Sequence, residues 1–214
     1  MYAICVSGQC LMGKDTLADR LCVKLNNRRG EQFWSRTAFA LKVKQVVCQN
    51  FGVDLDFIEK WKTNPEPPPG FDLNIRKTLQ LIGDDFRKIR GTIWLDLTFQ
   101  DHAPKIISDG RYINEFRRVK HEGGLNILVG CTDKLNDDPH NSEAMIRPYI
   151  KWCFDNFHKS TIVAKLSGVQ TRCSIPYMSD FDLFVRNDGT IDDLYRAVDR
   201  DIVSFVKNFE FQRR

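Results

Sequence analysis

The segment Gly8-Gln9-Cys10-Leu11-Met12-Gly13-Lys14-Asp15-Thr16 constrains this chain more than any other, because it follows directly on an apolar run, Tyr2 to Val6. The pattern predicts a buried strand, a glycine-rich turn and a helix start. In such a layout the backbone N–H groups of the turn face inward and wrap phosphate oxygens. Gly8 and Gly13 permit dihedrals that a side chain forbids. Lys14 can reach the outer phosphates, and the helix N-terminus adds a partial positive charge. Asp15 stands where Ser or Thr usually follows the lysine, with Thr16 one residue later; a carboxylate there can still hold Mg²⁺, which prefers hard oxygen ligands. The helix is expected from Lys14 to Leu25, with Leu17, Ala18, Leu21, Cys22 and Leu25 at helical spacing.

At 214 residues the chain suits one domain with inserted segments. A net charge of +4, spread along the chain, fits an anionic small molecule as well as nucleic acid and does not choose between them. The seven cysteines form no Cys-x-x-Cys pair and several fall at apolar positions, so reduced thiols in a cytoplasmic setting are expected, with neither a disulfide framework nor a zinc site. The N-terminal apolar run is too short for a signal peptide, and no stretch suits a bilayer span.

Further along, a short strand is expected within 32–36 and a helix over Ala40–Phe51 closed by Gly52. Pro65-Glu66-Pro67-Pro68-Pro69-Gly70 marks a stiff connection. A helix from Leu73 to Ile82 is expected to stop at Gly83, and Thr92–His102 to hold another. Lys105–Ser108 reads as a strand ending at Asp109, Asn114–Glu122 as a helix, and Leu125–Val129 as a strand. Residues 131–180 are harder to read, apart from a helical stretch near Met145–Phe157. Phe181–Val185 reads as the last strand, and Thr190 caps a helix running to Lys207. Alternating strands and helices predict a three-layer α/β/α fold with a mainly parallel central sheet. Right-handed crossovers then bring the glycine turn and Asp109 to the same carboxyl edge.

Five segments, in order, carry a resemblance. Ser7 to Asp19 contains Lys14-Asp15-Thr16 in place of Lys-Ser/Thr. Phe39-Ala40-Leu41-Lys42-Val43-Lys44 opens the second helix. Ile75-Arg76-Lys77-Thr78-Leu79-Gln80-Leu81-Ile82-Gly83 follows, then Ile107-Ser108-Asp109-Gly110-Arg111-Tyr112-Ile113-Asn114-Glu115. Asp182 to Leu194 includes Asn187-Asp188-Gly189-Thr190. Together they resemble the bacteriophage-type deoxynucleoside monophosphate kinases, within the P-loop nucleoside monophosphate kinases. Departures are Asp84 after Gly83, where that family more often carries Thr, and the length of 145–175. His140-Asn141-Ser142-Glu143 is similar to a His-x-(Ser/Thr)-Glu element of the family.

The resemblance implies a single kinase domain over 1–214, with an acceptor-binding helical segment over about 37–100 and a lid-like insertion over about 131–180. It implies Mg-dependent transfer of the ATP γ-phosphoryl group to a deoxynucleoside 5′-monophosphate. Gly8 through Thr16 are then the ATP loop, with Asn187 and Gly189 either shaping an adenine pocket or forming a plain capped turn. Lys14, Asp15, Asp109 and Arg111 are the catalytic candidates, and Asp15, Thr16 and Asp109 the oxygen ligands for Mg²⁺. Arg111, with a planar fork suited to phosphate, is assigned to the acceptor phosphate. Lys44, Arg76, Lys77, Gly83, Asp84, Trp94 and Glu115 complete the acceptor set. Trp94 either stacks on a base or is core. Glu115 either orients Arg111, accepts a sugar hydroxyl or is an ordinary first-turn glutamate. His140 and Glu143 are read as loop residues that order a lid, and Arg147 and Arg172 as lid cations. No stable nucleic-acid complex is expected, because the Lys and Arg residues are scattered; Tyr149–Phe157 is a candidate homodimer surface. Two other readings stay open: a kinase acting on a modified base in DNA, and a nucleotide-dependent switch without transfer.

Overall fold

A computed structural model describes residues 3–27, 33–137, 141–157, 163–165 and 178–211. His140, Arg172 and Cys173 lie outside the described residues. The chain divides into two compact units, residues 1–37 with 102–214, and residues 38–101.

The first unit is built on a sheet. In chain order it contains β1 (Ala3–Ser7), α1 (Lys14–Asn27) and β2 (Ser35–Thr37). After the second unit come β3 (Lys105–Gly110), α6 (Ile113–His121), β4 (Leu125–Gly130), α7 (Asn141–Asn156), β5 (Val163–Lys165), β6 (Leu183–Arg186), α8 (Ile191–Ala197) and α9 (Val203–Phe211). The strand order is β2-β3-β1-β4-β6-β5. The first five strands run parallel, and β5 pairs antiparallel with β6 at the edge. After β1 the chain crosses to β2 on one side, and after β3 it crosses to β4 on the other side of β1, so a topological switch point lies between β1 and β3. All residues of β1 and β4 are buried, as two-sided coverage of a parallel sheet requires. Helix α1 turns Leu17, Ala18, Leu21 and Leu25 inward, the face its spacing predicts.

Register between β1 and β3 slips near their carboxyl ends: Cys5 faces Ile107, yet Ser7 faces Gly110. One extra residue of β3 is therefore accommodated at Ser108–Asp109. Such a bulge breaks the side-chain alternation and re-aims the residues it contains. It falls at the acidic residue singled out from the sequence.

The second unit is helical: α2 (Phe39–Phe51), α3 (Leu55–Trp61), α4 (Ile75–Ile89) and α5 (Ile93–Phe99). Asp54 and Asn74 cap α3 and α4, accepting from the N–H groups of Phe57 and Lys77. Val47, Ile58 and Ile75 form a small core, flanked by Phe57, Trp61, Phe71, Leu79 and Ile82.

Several boundaries differ from expectation. Helix α4 does not stop at Gly83 but runs on to Ile89. Gly83 is buried in the middle of the helix and does not end it; a Cβ there would make only ordinary contact with Arg87 Nη1 at 3.4 Å and with Val43. Strand β2 lies at 35–37 rather than 32–36. Helix α7 starts at Asn141, ahead of Met145, with Pro148 inside it. The terminal helix passes through a π-helical turn at Val198–Ile202 and reaches Phe211. Helix α3 and strand β5 had no signal strong enough to be assigned.

Helix α8 starts with a reciprocal cap: Thr190 Oγ1 accepts from Asp193 N–H, and Asp193 Oδ2 accepts from the Thr190 N–H and hydroxyl. The Thr190 hydroxyl, then its N–H, then Arg196 hold the Asp193 carboxyl down to about 2. A carboxyl lowered in the folded state contributes stability above its ordinary value of 3.8, and that contribution is lost as pH falls through about 2. Thr190→Ala is expected to return the Asp193 pKa toward 3.8, read by an NMR pH titration of its carboxyl. An unchanged titration would show that the backbone N–H of residue 190 and Arg196 set it without the hydroxyl.

Candidate phosphate-binding site

The loop between β1 and α1 is shaped by contacts that only glycine permits. Gly8 has φ +152°, and a Cβ there would lie 2.5 Å from the Val129 carbonyl oxygen. Gly13 has φ +88°, and its Cβ would lie 2.4 Å from Asn187 Nδ2. Gln9 and Met12 are buried anchors, while Cys10 and Leu11 are exposed at the tip, with Leu11 at φ +63°. The Gln9 amide donates to the Asn136 carbonyl oxygen at 3.0 Å and accepts from its N–H at 3.2 Å, tying the loop to the segment after β4. Asn187 donates from Nδ2 to the Met12 carbonyl oxygen at 3.1 Å. Asn187 therefore braces the loop. Gly189 belongs to the cap of α8, where a Cβ would meet Asp193 Oδ2 at 2.7 Å.

Lys14 is 6 % exposed, and its ammonium donates to the Gln9 carbonyl oxygen at 2.6 Å. Burial, and then the neighbouring Arg111, push its pKa down; Glu143 and Asp15 work against them. Arg111, just past the β3 bulge, pairs with the Glu143 carboxylate through Nη1 and Oε1. Glu143 Oε2 accepts from the Cys10 N–H at 3.1 Å. So a lysine, an arginine and a glutamate gather at the loop. The expectation that Glu143 is a loop residue is corrected: it lies in the first turn of α7, 2 % exposed, where the helix dipole favours a carboxylate.

Glu115 is 3 % exposed, and its Oε2 accepts from the Arg111 N–H at 2.7 Å and the Tyr112 N–H at 3.0 Å. It caps α6 and fixes the backbone that carries Arg111. That outcome removes it as an acceptor for a sugar hydroxyl.

Asp15 is exposed on the first turn of α1 and pairs with Arg36, while the Ser108 hydroxyl donates to its Oδ1 at 3.0 Å. Arg36 also bonds Ser108 Oγ at 3.1 Å and Asp19 at 2.6 Å. The sequence reading missed Arg36: a lone arginine on a three-residue strand carries no motif. Thr16 and Asp109 are partly exposed. These oxygens suit Mg²⁺, which takes one or two carboxylates and completes its shell with phosphate and water. Among the described residues no three His, Cys, Asp or Glu side chains form a cage.

The remaining candidates, Arg147 excepted, lie in the second unit. Trp94 is a core residue, 2 % exposed, stacked on Phe86 at 5.5 Å and donating from Nε1 to the Gly83 carbonyl oxygen at 3.0 Å. With its ring enclosed, it is not a platform for a base. Lys44 pairs with Glu59, and Asp84 with Arg87 at 3.4 Å. Arg76 and Lys77 are exposed on the first turn of α4. Arg147 pairs with Asp137 at 3.2 Å. The six described cysteines are all free thiols, and among the described residues no helix is long and apolar enough to cross a membrane.

No family model matches the chain, and no curated protein matches its sequence. Among solved structures, it is similar to a dephospho-CoA kinase from Campylobacter jejuni, with a TM-score of 0.45 and 13 % identity over 97 % of this chain and 99 % of that one.

Proposed function

We propose that the protein is a P-loop phosphotransferase that moves the ATP γ-phosphoryl group to a deoxynucleoside 5′-monophosphate. The observation that carries this reading is the buried Lys14 beside Arg111 at a glycine loop on the carboxyl edge of a parallel sheet. A buried and a half-buried cation beside the glycine loop suit the charge of a phosphoryl group in flight. An oxygen of the acceptor phosphate attacks the γ-phosphorus, the bond to the β,γ-bridging oxygen breaks, and ADP leaves with that electron pair. A phosphate oxygen is already anionic, so no general base is needed. Lys14 and Arg111 neutralise the equatorial oxygens; Asp15, Thr16 and Asp109 would hold the Mg²⁺ that accompanies ATP, which would supply charge neutralisation and orientation. The deoxynucleotide as acceptor, and the roles of Lys44, Arg76 and Lys77 toward it, rest on the sequence resemblance.

The test is a coupled ADP-release assay with each deoxynucleoside and ribonucleoside monophosphate, and with DNA. Rapid turnover with at least one deoxynucleotide is expected, with Arg111→Ala raising the KM for that acceptor and lowering kcat. Turnover on DNA alone would assign the protein to base modification. ATP binding without transfer would make it a switch.

A further inference from the structure

We propose that Glu143 is a positioning residue of the phosphoryl-transfer site, holding the Arg111 guanidinium against the glycine loop without touching the reacting atoms. This inference rests on the phosphotransferase reading above.

A site for polyanions gains nothing in affinity from a buried carboxylate, which repels phosphate. Glu143 is nonetheless enclosed beside the loop, its side chain 3 % exposed. It is held from three directions. Arg111 Nη1 pairs with Oε1, the Cys10 N–H donates to Oε2, and Gln9 Nε2 approaches the Glu143 carbonyl oxygen at 3.4 Å. Behind it, Ile146, Tyr149, Ile150 and Cys153 of α7 are buried, so the helix cannot drift. Each carboxylate oxygen thus ties a different part of the site, one the loop and one the arginine.

The electrostatics explain why the carboxylate is tolerated. Lys14 and Arg111 are near enough that the arginine depresses the lysine. Glu143 offsets that repulsion and favours the charged ammonium. Remove the carboxylate, and a buried and a half-buried cation face each other with this hold on the Arg111 guanidinium gone. A guanidinium must be placed within a fraction of an ångström to favour a transition state over a ground state. Loss of the tether is therefore a loss in the chemical step, while loss of the negative charge favours binding of ATP.

Glu143→Gln preserves the shape and removes the charge. The expected result is a split: kcat falls about tenfold or more, while ATP, measured by calorimetry, binds several-fold more tightly. A merely structural ion pair would lower Tm and leave kcat per folded molecule and ATP affinity unchanged; that result overturns the proposal. The pair Arg111→Gln and Arg111→Gln/Glu143→Gln guards against a single variant that does not fold, since the double variant removes both charges together. If Glu143 acts through Arg111, the second substitution costs no further kcat. A further drop of the same size as in the parent background would sink the idea. A parent protein that transfers nothing to any monophosphate would remove the phosphotransferase reading, and this role with it. Active parent with an unaffected Glu143→Gln removes this role alone.

Discussion

Lys14→Ala is expected to lower kcat/KM at least about 100-fold, equivalent to roughly 2.7 kcal/mol of transition-state stabilisation. The size follows from where the ammonium sits. It is almost fully enclosed, donates to the carbonyl of Gln9 in its own loop, and lies close enough to Arg111 for each to feel the other's charge. In a water-poor site a fixed charge acts with little screening and needs no reorganisation when the phosphoryl group moves. Arginine is not expected to substitute. Its planar fork is bulkier than an ammonium and needs several acceptors, whereas the Lys14 pocket supplies a single carbonyl at 2.6 Å. Steady-state kinetics on Lys14→Ala and Lys14→Arg, with circular dichroism to confirm folding, checks both. Rates within threefold of the parent for Lys14→Ala would remove the lysine from the mechanism.

The loop was legible in the sequence because glycine and lysine at fixed spacing encode backbone geometry locally. The same holds for the strand before it, the helix after it and the Thr190 cap. What could not be read depended on contacts between distant residues. Glu143 meets Arg111 across 32 positions and Cys10 across 133. From sequence it was the last residue of His140-Asn141-Ser142-Glu143, an element carried by resemblance and read as a loop that orders a lid. Arg36 meets Asp15 and Ser108 across 21 and 72 positions, so nothing local marks it. Gly83 misled in the opposite sense. A glycine after an apolar helical pattern is a common stop, but here the helix runs on through it to Ile89. Trp94 lay in a helical pattern compatible with either a platform or a core, and burial against Phe86 decides for the core. Asn187 was read as part of an adenine pocket or of a plain turn, and its bond to the Met12 carbonyl oxygen, across 175 positions, left no local signal.

The second large effect is expected at Gly13. Gly13→Ala forces a Cβ to within 2.4 Å of Asn187 Nδ2 and onto a backbone with φ +88°. The two penalties can be separated. The clash is with a side chain, so Asn187→Ala opens room for the new methyl group at the loss of the bond to the Met12 carbonyl oxygen. The dihedral strain stays, at about 1–3 kcal/mol for a non-glycine residue in that region. Gly13→Ala alone is therefore expected to abolish measurable ATP binding, because the N–H groups of Gly13 and Lys14 no longer face a common point. The double variant Gly13→Ala/Asn187→Ala is expected to regain stability in a denaturant titration but not ATP affinity, since its loop is still twisted. Gly8→Ala has no such escape: the obstruction, 2.5 Å away, is the Val129 carbonyl oxygen, a backbone atom of a fully buried strand. Were ATP to bind Gly13→Ala as tightly as the parent, the loop's backbone would not be what grips the phosphates. Lys14 would then have to act without the cradle that its enclosure implies.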